Sequence, residues 1–199
     1  MIRIAVTGGI ACGKSRVAAY LLECGIPVCE ADTLAHAALA LNGVVYCEVV
    51  NAFGAQILTD AAEIDRTKLG QLVFSDATQM AILNRLVHPV VKAEVDHWLR
   101  FRERETHPRV AVVIPLLFET EMVQGWDAVV CVGCSAEVQR FRLSARGFDA
   151  GESEYRIAAQ MVLSEKMKRS DYVIWNDESV TALKQKVDDV LRLIEERNT

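Results

Sequence analysis

The segment TGGIACGKSR at 7–16 holds the residues best suited to chemistry. Gly8-x-x-x-x-Gly13-Lys14-Ser15 has the spacing of a phosphate-binding loop. Such a loop works through its backbone. Gly8, Gly9 and Gly13 allow successive N–H groups to turn inward around phosphates, and the helix that follows adds its positive end. Lys14 can place a point charge on the β- and γ-phosphates, and the Ser15 hydroxyl is placed to hold Mg²⁺. The plainer reading of the same residues is a tight glycine turn between a strand and a helix. No Asn-Lys-x-Asp motif is present to read a guanine base, and 199 residues are few for a motor or transporter ATPase. A second, phosphate-accepting substrate is the better fit. Open parallel sheets bind ligands beyond the carboxyl ends of their strands. The acceptor candidates there are Asp32, after the second strand, and PLLFE at 115–119, after the third.

The elements that must position these groups alternate. The apolar run IRIAV leads a first strand over 2–7, and 14–23 reads as a helix with Val17, Tyr20 and Leu21 on one side and Gly25 as its stop. IPVCEAD at 26–32 is a second short strand, and a helix runs through TLAHAALAL to the break at Asn42-Gly43. From 43 to 108 apolar residues recur at helical spacing, as in Leu69, Leu72 and Val73 or Met80, Leu83, Leu86 and Val87, with no strand signal. RVAVVI at 109–114, WDAVVCV at 126–132 and DYVIW at 171–175 resume the strands. Helices are expected over 135–145, 154–169 and 178–197, with RGFDAGES at 146–153 as a polar loop. The pattern predicts an α/β fold with a five-stranded parallel sheet covered on both faces. The core would take 1–42 and 109–199, with a helical insertion over 43–108.

Bulk properties exclude several classes. A net charge of -5 argues against general nucleic-acid binding, though not against one phosphorylated small molecule. The longest apolar run, VAVVIPLLF at 110–118, falls well short of the roughly 20 residues a membrane helix needs. MIRIAVTGG has no secretory-signal pattern, so a cytoplasmic protein is expected. The chain has six cysteines, and CVGC at 131–134 has CxxC spacing. That segment reads as a strand, where an offset of three puts the two sulfurs on opposite faces. No second CxxC or close histidine pair completes a zinc site, so buried thiols are expected. No coiled-coil seam is visible, and a monomer is the default.

With these residues assembled, the chain resembles the dephospho-coenzyme A kinase family of P-loop kinases over nearly its whole length. The likeness runs through TGGIACGKS, EAD at 30–32, FGAQIL at 53–58, IDRTKLGQLVF at 64–74 and LNRLVHPVV at 83–91. It continues in IPLLFE at 114–119, EVQRFRLSAR at 137–146, RIAAQ at 156–160 and DYVIWN at 171–176. The resemblance implies transfer of the γ-phosphate of ATP to the ribose 3′-hydroxyl of dephospho-CoA. It also implies that 43–108 is the CoA-side domain and about 146–154 a small lid.

Roles follow from that resemblance. Lys14, Asp32 and Arg142 would be catalytic, with Asp32 orienting the acceptor hydroxyl or taking its proton. As a plain structural residue, Asp32 would be a helix N-cap. ATP would be held by Gly8, Gly9, Ala11, Cys12, Gly13, Lys14, Ser15, Arg16, Arg142, Arg146 and Asn176. Dephospho-CoA would meet Thr7, Asp32, His88, Pro115, Leu116, Leu117 and Glu119, and Ser15 would be the metal ligand. Arg146 lies one helical turn beyond Arg142, as Gln160 does beyond Arg156, and both of that second pair are weaker candidates. His88-Pro89 would otherwise be a helix start, and the leucines plain core. The chain departs from the family at Arg16, usually Thr, and at Ala11 and Cys12, usually Gly-Ser. Val113 stands where many members carry Asp. Mg²⁺ would then rely on Ser15, phosphate oxygens, water and Asp32. Two other readings are a kinase for nucleotides or sugars and a nucleotide-dependent switch without small-molecule turnover.

Overall fold

The computed structural model describes residues 1–74 and 76–198. The apolar run at the amino end makes β1 (Ile2–Gly8), buried from Ile4 onward. It is followed by α1 (Lys14–Glu23), β2 (Val28–Glu30), α2 (Ala31–Leu39), α3 (Tyr46–Phe53), a 3-10 turn (Ala55–Ile57), α4 (Arg66–Phe74) and α5 (Ala77–Arg104). Then come β3 (Arg109–Val113), β4 (Ala128–Gly133), α6 (Ala136–Ser144), α7 (Ala150–Ala158), α8 (Leu163–Lys168), β5 (Tyr172–Trp175) and α9 (Val180–Asn198).

The five strands form one parallel sheet in the order β2-β3-β1-β4-β5. After β1 the chain passes over β3 to reach β2, and after β3 it crosses to β4 on the other side of β1. The order therefore reverses between β1 and β3, and a ligand crevice belongs at their carboxyl ends. The phosphate-binding loop leaves β1 there, and PLLFE leaves β3. The register puts Val6 beside Val113 and Gly8 beside Val132.

Contacts divide the chain into two units. One is Met1–Glu30 with the chain from Phe101 onward, and the other is Ala31–Arg100. In the first, Ile4, Val6, Val130, Val132 and Ile174 of the sheet pack on Val17 and Leu21 of α1 and on Leu183, Val187, Leu191 and Ile194 of α9. The α9 residues recur every three or four positions, a single apolar stripe. Every residue of β4 is buried, as a strand covered on both faces requires.

The second unit is helical, and among the described residues its β structure is one isolated bridge, Leu58 to Ile64. Val49, Phe53, Ile57, Leu69, Val87, Val91 and Val95 are buried in it. A cavity of about 420 Å³ is lined by His36, Leu39, Ala40, Leu41, Glu63, Ile64 and Arg66. The insertion had been expected over 43–108. By contacts, α2 joins this unit and 101–108 joins the first.

Three local expectations are corrected. Pro89 lies inside α5 and does not start a helix. It lacks an N–H for the carbonyl one turn back, a loss of one bond that a 28-residue helix absorbs. The second half of the stretch at 146–153 is helix, because Asp149 caps α7 by accepting from the Glu152 N–H. The single helix expected over 154–169 is two, α7 and α8, parted at 159–162.

Candidate active site

Two glycines of the loop are required by its geometry. Gly8 has φ 141°, and a Cβ there would sit 2.1 Å from the Val132 carbonyl oxygen on the neighbouring strand. Gly13 has φ 105°, and its Cβ would meet Asn176 Nδ2 at 2.1 Å. Ala11, at φ 58°, turns the chain between them with the smallest side chain that keeps a Cβ. Gly13 caps α1 without a side-chain bond, so the positive end of the helix faces the loop. The Lys14 ammonium spans the same loop, donating to the carbonyls of Gly8 at 3.0 Å and Gly9 at 2.8 Å.

Side chains from later in the chain hold the loop from behind. Gln160 accepts the Ile10 N–H at 2.9 Å, and Gln139 donates to the Ile10 carbonyl at 2.7 Å. Asn176 Nδ2 donates to the Cys12 carbonyl at 2.8 Å. Arg142 donates to the carbonyls of Ala11 and Cys12, each at 3.3 Å, and to that of Asn176 at 2.9 Å. Arg142 and Asn176 thus lie at the loop. Their partners, however, are its backbone carbonyls, and Asn176 is 2% exposed, which makes it a brace and leaves it little surface for adenine. Gln139 was missed. It lies three residues before Arg142 on α6, and that shared face was the available signal. Arg146 is exposed on the turn after α6. Arg156 pairs with Glu152 at 2.9 Å and lies 4.2 Å from the centre of the Phe148 ring.

The segment after β3 is fixed by a buried lysine. Lys166 on α8 has no solvent exposure. It donates to the Pro115 carbonyl at 2.7 Å and meets Glu119 Oε1 at 2.8 Å. Glu119 Oε1 also accepts the Met161 N–H, while Oε2 is buried without a hydrogen-bond partner. Thr7, itself buried, donates from Oγ1 to the same Pro115 carbonyl at 3.3 Å. Pro115, Leu116 and Glu119 are half-buried at this end of the sheet. Leu117 is fully buried, so it is core and offers no surface to a substrate. Lys166 was not foreseen, because a lysine on a short helix reads as a solvated face.

In the second unit, Asp32 is exposed in the first turn of α2, two residues past the end of β2. His88 lies in mid-α5, where burial pulls its imidazole below the usual range. His36 is likewise lowered, first by burial and then by the Arg66 guanidinium.

For a divalent cation, the described residues contain no cluster of three or more His, Cys, Asp or Glu. Val113 is a buried end-of-strand residue with no donor. The Ser15 hydroxyl is exposed at the second position of α1. One hard oxygen beside a phosphate cradle fits Mg²⁺, which keeps much of its shell as water and substrate phosphate.

A sequence profile of the family described as dephospho-CoA kinase matches residues 2–182. The chain belongs to the dephospho-CoA kinase family. A dephospho-CoA kinase of Bacillus cereus is 37% identical over 190 residues, covering 95% of each chain. A solved structure from Thermus thermophilus aligns with a TM-score of 0.81 at 34% identity, over 96% of this chain and 97% of that one. The dephospho-CoA kinase of Campylobacter jejuni aligns with a TM-score of 0.70 at 26% identity, over 99% and 98%. The five-stranded parallel P-loop kinase fold is common to them. Like the family, this dephospho-CoA kinase uses ATP and catalyses the final step of coenzyme A biosynthesis. Among its described residues no helix is long and apolar enough to cross a membrane.

Proposed function

We propose that the loop at 8–15 binds the phosphates of ATP and that the γ-phosphoryl group passes to the ribose 3′-hydroxyl of dephospho-CoA, giving CoA and ADP. The bond from the γ-phosphorus to the ADP oxygen breaks as the bond to the 3′-oxygen forms. The observation that carries this reading is the loop itself, with Gly8 and Gly13 held where a Cβ would clash and Lys14 at the start of α1. Lys14 leaves its carbonyl partners for the β- and γ-phosphates, and the helix end offsets the charge developing on them. Arg142 has further N–H donors on its guanidinium and turns them toward the phosphates while holding the loop. Mg²⁺, taken with ATP and bound by Ser15, would neutralise phosphate charge.

Asp32 orients the acceptor hydroxyl and receives its proton. An exposed carboxylate suits this role, because phosphoryl transfer depends more on positioning than on a strong base. Pro115, Leu116 and Glu119 of the first unit contact the acceptor substrate, and the helices at 31–100, with His88 among their residues, receive the CoA moiety. The segment at about 146–154, from the turn after α6 into α7, serves as the lid. The enzyme works as a cytoplasmic monomer without nucleic-acid or membrane partners.

Product analysis after incubation with ATP, Mg²⁺ and dephospho-CoA tests the proposal. CoA and ADP should form in equal amounts, and shikimate, gluconate and nucleosides should fail as acceptors. Hydrolysis of ATP without CoA formation would overturn it.

A further inference from the structure

Two thiols meet beneath the phosphate-binding loop, and the kinase roles use neither sulfur. Cys12 is the loop residue between Ala11 and Gly13, and Cys134 directly follows β4. They are 0% and 2% exposed and belong to one packed cluster. The Cys134 S–H donates to Cys12 Sγ at 3.4 Å. That donor, helped by the Lys14 ammonium, brings the Cys12 thiol down to about 7 against the burial that pushes it up. As the donor, Cys134 is raised. The pair is therefore asymmetric, one sulfur suited to be the thiolate nucleophile and the other to resolve it.

We propose that Cys12 and Cys134 are a peroxide-sensitive pair whose disulfide disables the phosphate-binding loop. The Cys12 thiolate attacks hydrogen peroxide. An S–O bond forms, the O–O bond breaks, and the departing hydroxide is protonated to water. The Cys134 sulfur then attacks the sulfenic acid. The S–S bond forms, the S–O bond breaks, and the second oxygen leaves as water with the Cys134 proton. Each sulfur gives up one electron, and the peroxide takes two. An external dithiol reverses the change by thiol–disulfide exchange.

The surroundings favour this pairing over others. A disulfide needs its sulfurs about 2.05 Å apart, so this pair closes by roughly 1.4 Å. Gly9 leaves room at Cys12, since a Cβ there would lie 2.9 Å from Cys12 Sγ. Cys131, the other half of the CxxC spacing, is pushed up to about 11 by burial and is a poor thiolate. Cys24 and Cys47 are exposed, so a bulky oxidant meets them first. Peroxide, close to water in size, is the oxidant that suits a buried pair.

The step stands on the sulfur geometry, and its effect on turnover rests on the loop reading above. The loop backbone that cradles phosphate is the backbone that carries Cys12, so drawing that sulfur toward β4 displaces the cradle. A shift on the 1 Å scale in a reacting site costs up to about 100-fold in rate.

The full chain is treated with hydrogen peroxide and assayed by intact mass, peptide mapping, binding of a non-hydrolysable ATP analogue and turnover. A linked peptide pair containing Cys12 and Cys134 is expected, with the loss of two hydrogens in mass. Turnover should drop at least about tenfold and return with dithiothreitol. Cys134→Ser, which keeps a hydroxyl donor toward Cys12, should form no such link and should leave a sulfenic acid on Cys12 that dimedone traps, while Cys134→Ala should form no link and less sulfenic acid; both are checked for folding by circular dichroism. Cys131→Ala should still form the link. The proposal fails if peroxide links other cysteines, if oxidised glutathione produces the same link as readily, or if the linked protein keeps full turnover. Absence of kinase activity before any oxidation would count against the loop reading and leave the peptide map to judge the pair.

Discussion

Lys166→Met removes a buried ammonium while retaining an unbranched apolar stem. Two groups lose their partner. The Pro115 carbonyl, 2.7 Å from Nζ, is left with the Thr7 hydroxyl at 3.3 Å. Glu119 keeps the Met161 N–H on Oε1 and nothing on Oε2. Removing one member of a buried ion pair costs about 3–5 kcal/mol, because the other charge stays behind unpaired. The Glu119 side chain is 21% exposed and can turn toward water, so the lower end, about 3 kcal/mol, applies here. At a urea m-value of about 2 kcal/mol/M, the midpoint should fall by roughly 1.5 M. Trp126 and Trp175 both lie in the first unit, so their fluorescence follows the unit that holds Lys166. The double variant Lys166→Met with Glu119→Gln should recover at least half of the loss, since no charge is then stranded. A single-variant shift below about 0.5 M, or a double variant equal to the sum of its parts, would refute the stranded-charge reasoning.

Lys14→Ala should lower single-turnover transfer at saturating ATP by about 100-fold or more, the scale of a lost transition-state charge contact. A loss under about threefold would remove Lys14 from the chemistry. Asp32→Asn should leave ATP affinity unchanged by calorimetry while crippling transfer to dephospho-CoA, and normal turnover would contradict the acceptor-side role. Gly13→Ala combines a strained φ of 105° with a contact of 2.1 Å to Asn176 Nδ2, so ATP affinity and melting temperature should both fall. Gly25→Ala, at φ 74° with nothing within 4 Å, is the control and should lower only the melting temperature.

What could be read in advance was what local pattern encodes. The apolar runs marked all five strands to within about two residues, because a strand buried on both faces is apolar throughout. The loop was legible because Gly8, Gly13, Lys14 and Ser15 carry its geometry in their own residue types. The supports of the loop were harder to see. Gln139 and Gln160 act through single bonds to Ile10 from positions over a hundred residues away, and an amide on a helix carries no mark of its partner. The break between α7 and α8 has the same origin, since the Met161 N–H is taken by Glu119 and not by a helical carbonyl. Asp149 did carry a local signal as a capping residue, but the glycines beside it read as loop. Leu117 shows the opposite limit. Its apolar type fits a pocket wall as well as a core, and only its burial separates them.

The position of β1 at the centre of the sheet also shapes how the chain is made. β1 pairs with β3 and β4, which follow it by more than a hundred residues, and Ile2 pairs with Arg109. At about 5–20 residues per second, roughly 5–20 s pass before that partner is synthesised. During this interval both edges of β1 have nothing to bond. The segment 31–100 has no such wait, because it is contiguous in sequence and its internal contacts can form as it emerges. The nascent chain thus carries one unit able to assemble at once and one central strand in waiting. That strand is where a chaperone would be needed, and where slower translation between 31 and 108 would cost yield through aggregation.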